Sequence, residues 1–218
     1  LQTYLTDEVV TKSAKKANYQ ILNTKNSESQ YQMLKRYELK NSDYIQLSKY
    51  SKKLNIELFS TACDTESLKF LITKLKFKKI KISSCDLTNI PLLLNAGASG
   101  KKIILSTGMA TLKEIDIALS ALSYGYSNRN KSSLLSFNII KHKDYYKTSS
   151  SYLSSMVGLL HCTTNYPAPF DELNLNVIET LQQRYVMPIG YSDHSNSLVT
   201  PIIATSKNIK MIEVHITL

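Results

Sequence analysis

Six short runs rich in aliphatic and β-branched residues recur along the chain with helical patterns between them. They are IELFST (56–61), KIKIS (79–83), KIILST (102–107), VGLLHCT (157–163), MPIGYS (187–192) and MIEVHIT (211–217). Each has the length and composition of a strand buried on both faces. Phe59 and Ile82 are 23 residues apart, Ile82 and Leu105 are 23, and Tyr191 and His215 are 24. Strands alternating with single helices predict a parallel sheet, either doubly wound or closed into a (β/α)8 barrel, and the even units favour the barrel.

The helical patterns carry start signals. Leu68, Leu71, Ile72 and Leu75 fall at i, i+3, i+4 and i+7, with Asp64 or Thr65 placed to cap them. Thr111 and Glu114 read as a capping box ahead of Leu112, Ile115, Leu119 and Leu122. One interval breaks the rhythm, from Leu105 to His161 at 56 residues. Its excess, 126–155, is biased to Ser, Lys, Asn and Tyr without clear periodicity. It is expected to be an inserted surface loop, flexible in part, with His142 a solvated loop histidine.

Composition narrows the class. The chain is 43% hydrophobic and 20% charged, ordinary for a globular protein that buries a full core. No apolar run approaches the roughly eighteen residues that a membrane-spanning helix needs, and the first twenty residues lack the apolar stretch of a signal peptide. Cys63, Cys85 and Cys162 are an odd number without C-x-x-C spacing, which fits a reducing compartment, so a cytoplasmic location is expected. The formal charge of +10 comes from scattered lysines. The densest cluster, KLKFKKIKI, alternates as a strand does. Without a stacking-aromatic or recognition motif beside that charge, no nucleic-acid partner is expected.

In a barrel the chemistry gathers at the C-terminal ends of the strands. Those ends read Ser60 and Thr61, then Ser83, Ser84 and Asp86, then Ser106, Thr107 and Gly108, then His161 through Tyr166, then Ser192, Asp193 and His194, then Glu213 and His215. Lys81 lies mid-strand, where burial demands a negative partner. A bound phosphate or carboxylate would supply it, unless the side chain snorkels to water. His194 and His215 end consecutive strands, where two imidazoles can share a divalent metal, although a strand histidine can equally be a satisfied core residue.

The residues themselves say more. SQYQMLKRYELKNSDYIQL, ELFSTACDTESL, KIKISSCDLTNIPLL, KKIILSTGMATLKEI, LLHCTTNYPAPFDELNL, MPIGYSDHS and MIEVHITL, in that order, resemble the sialic acid synthase family. Its members make N-acetylneuraminate and the bacterial relatives legionaminate and pseudaminate. The likeness covers nearly the whole chain outside 126–155. It implies a (β/α)8 barrel that condenses phosphoenolpyruvate with the open-chain aldehyde of an N-acetylated hexosamine, of the N-acetylmannosamine type, and releases phosphate. It also implies a divalent cation, Mn2+ or Mg2+, as cofactor and a homodimer for the full-length form. By the same resemblance His194 and His215 are the metal ligands. Thr61, Lys81, Ser84, Ser106 and Ser192 hold phosphoenolpyruvate, while Gln2, Asp86, Tyr166 and Glu213 surround the sugar and the reacting carbons.

The chain also departs from the family pattern. STAC stands where S-T-P-F is usual, and SCD where S-G-E or S-G-D is usual, so Cys85 occupies a glycine position and could crowd a ligand. The alternative for Cys63 and Cys85 is a small, buried, inert side chain. By the resemblance, the family's N-H-x-G strand and most of its K-x-Q strand are expected to precede Leu1 and Gln2, and its C-terminal antifreeze-like domain to fall outside 1–218. The expectation is therefore a partial barrel over 1–218, ending after its eighth strand, inactive and poorly soluble by itself. Two rivals are kept: a degenerate barrel that retains anion or metal binding without catalysis, and another phosphoenolpyruvate-condensing barrel. HCTTNYPAP followed by GYSDH speaks against the second.

Overall fold

The computed structural model describes residues 1–24, 27–129, 134 and 136–216. The chain divides into two compact units, Leu1–Ile80 and Lys81–Leu218.

In the first unit, strand β1 (Gln2–Thr3) pairs in parallel with β2 (Ser60–Ala62), Gln2 opposite Thr61 and Thr3 opposite Ala62. The helices Thr6–Val9, Asn18–Asn23, Gln30–Tyr37 and Asn41–Lys53 lie between them in the chain. Ser29 starts the third of these with a capping box. Its hydroxyl accepts from the Gln32 amide at 3.2 Å while its own amide donates to the Gln32 side-chain oxygen at 2.9 Å. After β2, Asp64 caps the helix Thr65–Thr73, as its sequence signal predicts, accepting from the Ser67 amide at 2.7 Å. Leu68 and Leu71 point into the core, while the helix stops short of Leu75.

Two boundaries differ from expectation. The strand expected over 56–61 begins only at Ser60, because Ile56 and Glu57 are exposed and have no apolar face to bury. β1 was not anticipated as an ordered strand, since two residues carry no readable alternation.

β3 is Lys79–Ile82. In the second unit β4 (Lys102–Ser106), β5 (Val157–His161), β6 (Ile189–Asp193) and β7 (Ile212–Val214) each lie parallel to the next, with Ile103 opposite Val157, Leu159 opposite Ile189 and Tyr191 opposite Ile212. Within this unit the strand order follows the chain, without the reversal that marks the switch point of a doubly wound sheet. The helices Ile90–Ala98, Leu112–Ser127, Val177–Arg184 and Val199–Thr205 follow β3 to β6 in turn. The Thr111–Glu114 capping box is present, the Glu114 carboxylate accepting from the Thr111 amide at 2.7 Å. β7 is shorter than the run 211–217, and Thr217 lies outside the described residues.

The helices Ile90–Ala98 and Leu112–Ser127 meet backbone to backbone. A Cβ on Gly97 would stand 2.3 Å from the Leu122 carbonyl oxygen, and one on Gly125 would stand 2.4 Å from that of Leu94. Only glycine permits this approach, which seats Leu93 and Leu119 in a core without measurable exposure.

The stretch 126–155 departs from the loop that was expected. The helix Leu112–Ser127 runs into it, and Ile139–His142 and Ser150–Met156 are helical, joined by the 3-10 turn Tyr145–Ser149. Residues 130–133 and 135 lie outside the described residues. Tyr126, Tyr146 and Leu153 are buried. His142 is corrected too: it is half-buried, stacked on Phe137 at 5.3 Å and 4.9 Å from the Tyr124 ring. Aromatic clustering, rather than an aliphatic period, buries this segment, and a search for periodicity does not register it.

Of the cysteines, Cys85 departs from the buried, inert reading. Cys162 is buried and Cys63 half-buried, but Cys85 is exposed on the 3-10 turn Ser84–Asp86. Its backbone is not among the left-handed positions, so no positive φ there demands the glycine of the family pattern. No helix among the described residues is long and apolar enough to cross a membrane.

Candidate active site

Parallel pairing sets the geometry. Because β6 and β7 lie in register with Ser192 opposite Glu213, the serine hydroxyl donates to the Glu213 carboxylate at 2.7 Å. Lys81, which sequence reasoning left in search of a negative partner, forms an ion pair with the same carboxylate oxygen. The lysine side chain is 11% exposed and the glutamate 25%, so the pair is largely withdrawn from water. Burial pushes the Glu213 carboxyl up, but the Lys81 charge and hydrogen bond, with help from Ser192, hold it below the usual carboxylate range.

His194 follows β6 and is buried. Its Nδ1 is hydrogen-bonded to the Thr163 carbonyl oxygen. A carbonyl can only accept, so Nδ1 carries the proton and Nε2 the lone pair, an arrangement typical of metal-binding imidazoles. Burial pushes His194 down to about 4; the Thr163 carbonyl opposes the shift, while the nearby His215 and Lys81 add to it. The ring is therefore neutral near pH 7 and able to ligate. Tyr166 stacks on it at 4.1 Å and 27°, and the exposed His215 ring lies 5.0 Å away.

His194, Glu213 and His215 each offer one ligand atom, all within 4.8 Å of one another. Two imidazoles and a carboxylate form a donor set that suits a divalent cation. Glu213, expected around the sugar and the reacting carbons, also offers an oxygen to this donor set. Glu213 and His215 sit two positions apart along one strand direction, so period-two alternation would have placed them on the same side.

The serines form a second cluster. Ser84 Oγ accepts from the Gly108 amide at 3.0 Å and lies 3.1 Å from Cys162 Sγ. A Cβ on Gly108 would come within 2.8 Å of that sulfur and 3.0 Å of the Ser84 hydroxyl, so a side chain there would disturb both. Ser106 Oγ is buried without a hydrogen-bond partner among the described residues, an orphan that calls for a ligand or water. Asp86 accepts from Ser83 Oγ at 2.7 Å.

Gln2 and Thr61 belong to the unit Leu1–Ile80. The exposed Gln2 offers its carbonyl to the Tyr44 hydroxyl at 2.6 Å, and the buried Thr61 donates its amide to the Leu1 carbonyl at 2.8 Å. His161 is a satisfied core histidine, buried with Nε2 2.8 Å from the Leu173 carbonyl oxygen. Sequence reasoning missed the Thr163 carbonyl and the Ser84–Cys162 contact. The first is a backbone group and leaves no mark in the sequence. The second joins positions 78 apart.

Residues 1–218 match the NeuB family. The N,N'-diacetyllegionaminic acid synthase of Legionella pneumophila is 36% identical over 217 residues, covering all of this chain and 54% of that enzyme. The enzyme of the same name from Campylobacter jejuni is also 36% identical over 217 residues, covering all of this chain and 57% of that enzyme. Among solved structures, the N-acetylneuraminic acid (sialic acid) synthetase from Leptospira borgpetersenii, in complex with citrate, is similar with a TM-score of 0.69. The sequence identity is 30%, and the likeness covers 88% of this chain and 57% of that one. The chain thus spans about half the length of the curated relatives it matches. Since the match runs from its first residue to its last, the chain belongs to the NeuB family.

Proposed function

We propose that the full-length protein condenses phosphoenolpyruvate with the open-chain aldehyde of an N-acetylated hexosamine, giving a nonulosonic (sialic) acid and inorganic phosphate. The single observation that carries this reading is the His194, Glu213 and His215 cluster set against the Lys81 cation. Carbon 3 of phosphoenolpyruvate bonds to the aldehyde carbon, and the aldehyde oxygen takes a proton. Because the new bond uses the C2–C3 π pair, carbon 2 becomes an oxocarbenium. Water adds there and gives up one proton to the aldehyde oxygen. The tetrahedral carbon collapses to the ketone, its hydroxyl proton leaving with the expelled phosphate.

The protein's own groups divide the work. Lys81, Ser84, Ser106 and Ser192 hold the phosphate and carboxylate, with the orphaned Ser106 hydroxyl free to donate to an anion. Gln2 and Thr61 keep the substrate-facing roles that the resemblance implies. Asp86 and Tyr166 contact the sugar, Tyr166 also fixing the His194 ring by stacking. A divalent cation held by His194, Glu213 and His215, Mn2+ or Mg2+, would supply Lewis-acid polarisation of the aldehyde. A (β/α)8 barrel, a homodimeric assembly and a cytoplasmic location complete the proposal.

The test is phosphate release from phosphoenolpyruvate and N-acetylmannosamine by the full-length gene product, with and without Mn2+, beside His194→Ala. Metal-dependent release lost in the variant supports the synthase. A folded, Mn2+-binding protein that releases no phosphate with any N-acetyl hexosamine points instead to a barrel that kept its binding and lost its chemistry.

A further inference from the structure

The Glu213 carboxylate faces two claims at once. It is the anionic member of the only cluster of candidate metal ligands found among the described residues, and it is the counter-ion of Lys81. A cation entering between His194 and His215 meets both the Lys81 charge and a carboxylate oxygen already engaged by Lys81 and by the Ser192 hydroxyl. Lys81 is withdrawn from water, so it needs an anionic partner at all times. Glu213 can be released to a metal at little electrostatic cost only when another anion takes its place at the amine.

We infer that Lys81 withholds Glu213 from the metal until a substrate anion engages it, so that anion and cation bind this centre cooperatively. The inference rests on the anion-and-cation reading of the centre proposed above and is independent of which sugar is used. Coupling of this kind is reciprocal: the factor by which the anion tightens the metal equals the factor by which the metal tightens the anion. Neither ligand then organises the centre alone.

The experiment uses the full-length gene product with Mn2+ and inorganic phosphate as probes. Free Mn2+ is read from its electron paramagnetic resonance signal at constant ionic strength and corrected for manganese phosphate in solution. Phosphate is expected to tighten Mn2+ binding on the order of tenfold, with the same factor appearing for phosphate when Mn2+ is added. Lys81→Met is expected to bind Mn2+ more tightly than the parent protein without phosphate and to lose the response to phosphate.

An unchanged Mn2+ affinity in phosphate overturns the inference, as does a phosphate effect that survives in Lys81→Met. Should that variant fail to fold, Glu213→Gln removes the shared carboxylate. Its Mn2+ affinity in phosphate should fall to the level seen without phosphate, so that the response to phosphate is lost, and a retained response overturns the inference equally. Because these readings involve neither phosphoenolpyruvate nor turnover, failure of the synthase reading would appear separately, as absent phosphate release from a protein that still couples its two ions.

Discussion

Lys81 and Glu213 stand 132 positions apart in the chain and close an ion pair beside the two histidines. A pair so withdrawn from water is costly to halve and much less costly to remove. Glu213→Leu, which strands the lysine, is expected to destabilise the fold by about 3 kcal/mol. Adding Lys81→Met should return most of that loss, which makes a double-mutant cycle in urea the appropriate measurement. Equal losses in the single and double variants would show that the pair contributes nothing beyond packing.

The imidazoles set metal affinity. His194→Ala should weaken Mn2+ binding by more than about a hundredfold, because loss of a ligand exceeds the effect of losing a group that merely orients one. Tyr166→Ala removes the stacked ring and should cost about tenfold. Calorimetric titration of the full-length protein separates the two, and an equal effect from both would argue against His194 as a ligand.

Acid should destabilise the metal-free protein above the usual carboxylate range. Burial holds His161 below the ordinary histidine value of 6.5 and pushes His194 down to about 4. Through that window the unfolded chain binds protons that the folded chain refuses. Stability is therefore fully present above about pH 6.5 and falls as the pH drops toward 4. Urea midpoints between about pH 4.5 and 7.5 should show this slope. His161→Gln, which keeps an N–H for the Leu173 carbonyl, should flatten it in part, whereas an unaltered slope would exclude His161 as a contributor.

Gly125 admits no side chain. Its added Cβ would meet backbone atoms of the facing helix, Leu94 oxygen at 2.4 Å and Ala98 nitrogen at 2.9 Å, which cannot rotate away. Gly125→Ala should therefore destabilise by about 1 to 3 kcal/mol, the range for overpacking a well-filled core, despite its gain in helix propensity. Thermal unfolding beside the exposed control Ser127→Ala measures it, and a neutral Gly125→Ala would mean that the helices can part without penalty.

Local signals in the sequence predicted local structure well. Asp64 and Thr111 cap the helices they were expected to cap, and the long strand runs formed β3 to β6 near their expected limits. What escaped was long-range or aperiodic. The partner of Lys81 is an acid on the last strand, and no pattern around position 81 announces position 213. The packing in 126–155 comes from rings of Tyr124, Phe137, His142 and Tyr145, spaced irregularly along the chain. The orientation of His194 depends on a backbone carbonyl, which every residue possesses. His194 and His215 were thus legible by residue type and position, while the contacts of Glu213 with Ser192 and Lys81 required the register of β6 on β7.

The three thiols lie at three depths: Cys162 buried, Cys63 half-buried and Cys85 exposed on the turn between Ser84 and Asp86. A bulky maleimide is therefore expected to reach Cys85 first, although burial pushes that thiol up and slows its reaction. That residue directly follows a serine assigned to the anion, so a fluorophore attached there becomes a lamp at the threshold of the centre. Its brightness would follow the arrival of phosphate in real time and without turnover.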